Sequence, residues 1–141
     1  MNTLQRKLLA LAMTCCVGAA MSQPAVFDPG KQEFSENCAS CHGLDGKGNG
    51  PMGELLRKGP PDLTLLAKQN KGVLPINRLY AVVDGAGVPS HGSRDMPVWG
   101  REYQIEGAQQ MREARGGYDS AELVRARILG LLECISRIQT T

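Results

Sequence analysis

Aromatic side chains are scarce: one tryptophan, three tyrosines and two phenylalanines among 141 residues, 4% of the chain. A domain of this length already buries a smaller fraction of its surface than a large one, so a large apolar group bound at its centre would relieve the shortage of core. Excess charge of one sign is also missing. Sixteen Lys and Arg stand against fourteen Asp and Glu, a formal +2, too balanced for a nucleic-acid-binding stripe. No apolar run reaches the roughly 20 residues that a membrane span needs. Despite seventeen glycines and eight prolines, there is no third-position glycine repeat and no long low-complexity tract, which removes collagen-like and wholly disordered chains. A Walker motif and a Ser/His/Asp constellation are absent, and Gly46-x-Gly48-x-Gly50 does not follow a strand as a phosphate loop would. The length allows one domain and hardly two.

What is present begins with an address. Polar and basic Asn2, Gln5, Arg6 and Lys7 precede the uncharged run Leu8 to Val17 and then small Gly18, Ala19 and Ala20, the three parts of a secretory signal. Residues 1–22 are read as that signal, with cleavage after Ala20 or after Ser22, and 23–141 as one mature domain. A lipid-modified Cys15 or Cys16 would want a small residue just before Cys15, where Met13-Thr14 stands. Losing Arg6 and Lys7 leaves fourteen bases against fourteen acids, so any electrostatic steering must come from uneven placement of charge.

The mature chain keeps Cys38, Cys41 and Cys134, too few for a disulfide framework. Cys38-Ala39-Ser40-Cys41-His42 is a CxxCH motif. On one helical turn its two thiols can add to the two vinyl groups of a haem while the imidazole reaches the iron from the same side. A thioredoxin-like pair would want a preceding strand, whereas Asp28 to Asn37 reads as helix, and a structural zinc would want four ligands at closer spacing. Export agrees with haem attachment, which takes place outside the bacterial cytoplasm.

With CASCHG, the glycine loop Gly43 to Pro51, Pro60-Pro61-Asp62-Leu63 and Met96-Pro97-Val98-Trp99-Gly100 in that order, the chain resembles the monohaem class I cytochrome c family over about residues 28 to 139. The resemblance implies an all-α cytochrome c fold of three to five helices around one covalent haem c, with His42 as proximal and a downstream methionine as distal ligand. It also implies a proline carbonyl of the loop that accepts from the proximal imidazole, for which Pro51 is the match. Such an outer bond fixes the ring and raises its basicity. The family's crossing of first and last helices uses a small residue and an aromatic on each side. Gly30 and Phe34 fit the first side, while Cys134 stands where the second aromatic is usual, as a buried small hydrophobe.

The residues themselves suggest matching elements. Asp28 with Pro29 starts a helix that delivers the motif. Ile76, Leu79, Tyr80 and Val83 recur at helical spacing and stop at Gly85 and Gly87; Tyr80 either packs or meets a haem propionate. Pro60, Pro61 and Asp62 either shape the haem edge or start a helix. Asp119 and Glu122 form a capping box before a helix with the stripe Val124, Ile128, Leu131, Ile135 and Ile138. Residues Arg101 to Gly117, with few apolar anchors, are expected to be a solvated excursion, or the place where a partner docks.

Two side chains compete for the sixth position. Thioether ligation raises the potential relative to a second imidazole. Met96, stiffened by Pro97 and at the family's expected place, is assigned over His91. Trp99 either packs or donates its indole N–H to a propionate. With both axial positions filled, the expected function is periplasmic one-electron transfer by an outer-sphere route, without catalysis by this chain. Donors would be a dehydrogenase or a quinol-oxidising complex and acceptors an oxidase or reductase; neither nucleic acid nor a membrane span is expected. The alternatives are a cytochrome subunit held on a periplasmic oxidoreductase and a haem-based ligand sensor. Intact mass of the exported protein should place its first residue at Met21 or Gln23; a mass that retains residues 1–20 overturns the signal assignment.

Overall fold

The computed structural model describes residues 27–56, 58–86, 96–113 and 119–140, the side chains of 111–113 excepted. Residues 1–22, read above as a signal, and His91 lie outside the described residues. Among those described, every regular element is helical and none is a strand, as an all-α cytochrome c fold requires. No helix among them is long and apolar enough to cross a membrane.

Asp28 caps α1 (Pro29–Glu33), its Oδ1 accepting from the Lys31 N–H at 2.9 Å with Pro29 in the first turn. The helix then widens into a π-helical stretch, Phe34–Cys38, where the Ala39 N–H donates to the Phe34 carbonyl five residues back. It continues as α2 (Ala39–His42). Helical turns at Gly53–Leu55 and Leu63–Leu65, then α3 (Leu66–Gln69), lead to α4 (Ile76–Asp84), which stops at left-handed Gly85. α5 (Trp99–Glu113) and α6 (Ser120–Arg137) complete the set. Asp119 caps α6 through the Ala121 N–H at 2.9 Å.

α6 is the axis of the packing. Its buried side chains Val124, Ile128, Leu131, Leu132, Cys134 and Ile135 follow the anticipated stripe, with Ile138 half-buried past the helix end. α1, α4 and α5 all pack against it. At the crossing with α1, a Cβ on Gly30 would stand 2.0 Å from the Gly130 carbonyl oxygen and 3.4 Å from Cys134 Cβ. The backbones therefore touch, and Cys134, buried at this contact, occupies space that an aromatic would overfill.

Within the stretch 101–117, the described residues 101–113 depart from expectation. Residues through Glu113 form α5, a regular helix held by Tyr103, which is fully buried. The anchor is one aromatic with a polar end instead of an apolar stripe. Its hydroxyl donates to Glu33 Oε1 at 2.7 Å, and the Arg127 guanidinium lies 4.0 Å from its ring centroid. Hydrophobic periodicity does not register a helix fastened in this way.

Gly30→Ala should destabilise the protein by about 1–3 kcal/mol, since the crossing has no room for a methyl group, whereas Arg125→Ala, at an exposed position of α6, should leave stability nearly unchanged. Urea unfolding of the two variants followed by circular dichroism checks the contrast.

Candidate haem site

The motif sits where the π-helical stretch passes into α2. Cys38 and His42 are buried, at 6% and 7% exposed, and Cys41 is half-buried. The last carbonyls of a helix have no partner within it, and here the glycine loop supplies them. The Gly48 N–H donates to the His42 carbonyl at 2.7 Å, Gly50 to Cys41 at 3.0 Å and Met52 to Ser40 at 2.8 Å. A Cβ on Gly50 would fall 2.5 Å from the Ser40 oxygen, so the loop approaches this closely only without a side chain.

The proline carbonyl that faces the imidazole belongs to Pro61, not Pro51. His42 Nδ1 lies 3.3 Å from the Pro61 oxygen, and because a carbonyl only accepts, Nδ1–H is the donor and the lone pair remains on Nε2. Pro51 is exposed, held between Gly50 and Met52, whose N–H groups are both bonded to the end of α2. The chain returns to the imidazole at Pro61. That return is braced from behind. Asp62 Oδ1 accepts from the Thr64 N–H at 2.8 Å, so Asp62 starts a helical turn while Pro61 shapes the site. The Leu63 N–H donates to the Gly46 carbonyl at 2.7 Å, Gln139 Nε2 to the Leu63 carbonyl at 2.7 Å and the Thr140 N–H to the Thr64 carbonyl at 2.9 Å.

A cavity of about 380 Å3 opens in front of these groups, within the range of pockets for small molecules and cofactors. Cys38, Cys41, His42, Met96, Pro97 and Trp99 line it together with Leu56, Pro60 and Pro61, and Asn37, Lys58, Gly59 and Arg78 complete the wall. The structure thus brings Met96 and Trp99 to the attachment motif across more than fifty residues of sequence. Trp99 also packs on Tyr103, with ring centroids 5.9 Å apart. Tyr80 does not line the cavity; it is half-buried against the core cluster. Residues 78 and 80 point about 200° apart on a helix, and it is Arg78 that reaches the cavity from α4. Leu56, Lys58 and Arg78 were not singled out from sequence, and no local pattern marks them. Pro61 did carry a signal, the Pro-Pro-Asp turn.

Burial, reinforced by the negative charge of Glu33, pushes the Cys38 thiol up to about 12. A neutral buried thiol is a poor nucleophile. The donor set fits haem c: two sulfurs one turn apart, an imidazole whose Nδ1–H is fixed, a thioether on the same cavity and a largely apolar wall.

The Cytochrome c family model matches residues 27–123. Among curated proteins, the Cbb3-type cytochrome c oxidase subunit FixP of Sinorhizobium medicae (strain WSM419) is 62% identical over 34 residues, 24% of this chain and 12% of that one. The FixP subunit of Rhizobium meliloti (strain 1021) is 40% identical over 81 residues, 57% of this chain and 23% of its own length. FixPc of Rhizobium leguminosarum bv. viciae is 36% identical over 78 residues, 55% and 23% respectively. The matches thus span less than a quarter of these relatives. No solved structure gives a significant match. A family match over most of the chain, an all-helical fold and a CxxCH motif on the wall of a cofactor-sized cavity agree: the chain belongs to the cytochrome c family, an electron-carrying cytochrome with haem c bound covalently through Cys38 and Cys41.

Proposed function

We propose that this chain is a periplasmic cytochrome with a single haem c, ligated by His42 and Met96, that exchanges one electron at a time with redox partners by outer-sphere transfer. The observation that carries this reading is the shared cavity, whose lining includes both the attachment motif and Met96. The sequence contains one CxxCH motif, which supports a single haem.

When bound, the haem supplies an iron that changes by one electron. The chain's own residues keep that change cheap in reorganisation. Pro61 holds the His42 ring through Nδ1. Pro97 restricts the backbone beside Met96, and Trp99 begins α5 directly behind it. Leu56, Pro60 and Trp99 give the wall apolar surface. Lys58 and Arg78 are exposed cations that line the cavity, and Met52 and Leu55 are exposed apolar side chains close in sequence to Leu56 and Lys58. A mixed basic and apolar rim of this kind suits the small, weak interfaces of redox encounters.

The names of the curated relatives favour a second reading, that the chain delivers electrons as a held cytochrome subunit of a terminal oxidase. In either form the donor would be a dehydrogenase or quinol-oxidising complex and the acceptor an oxidase or reductase. Chromatography of a detergent extract from the native source distinguishes them, because a held subunit elutes with oxidase activity and a diffusing carrier elutes alone.

Met96→Ala should leave haem attached, lower the reduction potential and let carbon monoxide bind the reduced protein at neutral pH. The far-red sulfur-to-iron absorption band should vanish; its retention would refute Met96 as ligand. Cys38→Ala combined with Cys41→Ala should yield bare polypeptide by mass spectrometry and little helix by circular dichroism, because the core closes around the cofactor. A stable helical protein without haem would be the contrary result.

A further inference from the structure

A buried polar cluster lies beside the site, outside the set of haem ligands. Glu33, on α1, is 8% exposed. Its Oε1 accepts from the Tyr103 hydroxyl at 2.7 Å and from Asn37 Nδ2 at 2.5 Å, and its Oε2 accepts from Arg127 Nε and Nη2, each at 3.0 Å. Every partner is a donor, as an ionised carboxylate requires. Arg127 also bonds Glu106, which is half exposed, so Glu33, Arg127 and Glu106 together carry one net negative charge.

Packing alone does not call for a charge here. An apolar group of similar volume would join α1, α5 and α6 at least as well as a buried ion pair. The cluster does, however, adjoin the haem cavity at two places. Asn37, held by Glu33, lines the cavity, and so does Trp99, which stacks on Tyr103. Glu33 also precedes Cys38 by little more than one helical turn. Besides burial, its charge raises the Cys38 thiol, while Arg127 at 3.0 Å offsets part of that charge. Inside a protein such a field is screened far less than in water.

We propose that Glu33, clamped by Tyr103 and Arg127, sets the reduction potential of the attached haem by favouring its oxidised form from outside the ligand set. The proposal rests on the electron-carrier reading and deepens it. A negative charge stabilises the more positive, oxidised iron over the reduced one, so loss of that charge makes reduction easier. Glu33→Gln keeps the shape and removes the charge.

The test is an equilibrium redox titration of the haem-loaded protein, followed by its absorption spectrum. Glu33→Gln should increase the equilibrium constant for reduction by a fixed mediator about tenfold, a positive shift of about 59 mV for one electron. Glu106→Gln, at the exposed end of the same network, should shift it much less. Because the single variant leaves Arg127 without its buried partner, the pair Glu33→Gln with Arg127→Gln removes both charges of the buried ion pair and leaves Glu106 in place; it is expected to shift positively too, by less, because Glu33 and not Arg127 acts on the Cys38 sulfur. Mere loosening of the fold would admit water to the haem, favour the oxidised form and shift the potential negatively. An unchanged or more negative potential in whichever of the two Glu33 variants retains its haem and its ligand bands overturns the proposal. A wild-type protein that carries no haem by mass spectrometry would overturn the carrier reading itself, and this inference with it.

Discussion

Gly30 and Gly130 let the backbones of α1 and α6 meet, and this contact governs the geometry of the haem site from both ends of the chain. The helix that carries Gly30 runs through the π-helical stretch to Cys38, Cys41 and His42. The helix that passes Gly130 ends at Arg137, and the residues after it, Gln139 and Thr140, grip Leu63, Thr64 and Ala67. Those residues in turn hold Pro61 against the imidazole. A side chain at the crossing would separate the helices and disturb the motif and its outer hydrogen bond together.

Few aromatics and a short chain leave the core dependent on two unusual fillers. One is the cofactor, taken up by a cavity whose wall includes the attachment sulfurs. The other is the Tyr103, Glu33 and Arg127 cluster, which fastens α5 by hydrogen bonds and a cation over a ring instead of by an apolar stripe. Buried ion pairs contribute little net stability relative to apolar packing, but losing one partner strands the other in a poor solvent. The cluster therefore fixes the orientation of α5, and with it Trp99 at the cavity, at the cost of tolerating little change.

Much of the fold was legible because its determinants are local. Helix starts at Asp28 and Asp119 follow from a side-chain oxygen within reach of the next few N–H groups, and the stripe on α6 follows from helical period. α5 was misread as a solvated excursion because its anchor, Tyr103, has its partners on α1 and α6. Within the site, the resemblance pointed to Pro51, on its place in the loop, whereas the carbonyl that meets His42 is that of Pro61, 19 residues away. Tyr80 and Arg78 share a helix, and which of them meets the cavity depends on how α4 is rotated against α6.

The sequence by itself determined that haem c is attached, and at which residues, because two sulfurs and an imidazole one helical turn apart are a complete chemical specification that needs no distant partner. Tertiary structure alone decided which carbonyl orients the imidazole, which face of α4 lines the cavity and that a carboxylate is buried next to Cys38. Each of these is a contact between segments far apart in the chain; Glu33 and Arg127 are separated by 94 positions. Such contacts depend on the distance and angle between packed helices, which neither local propensity nor residue spacing encodes.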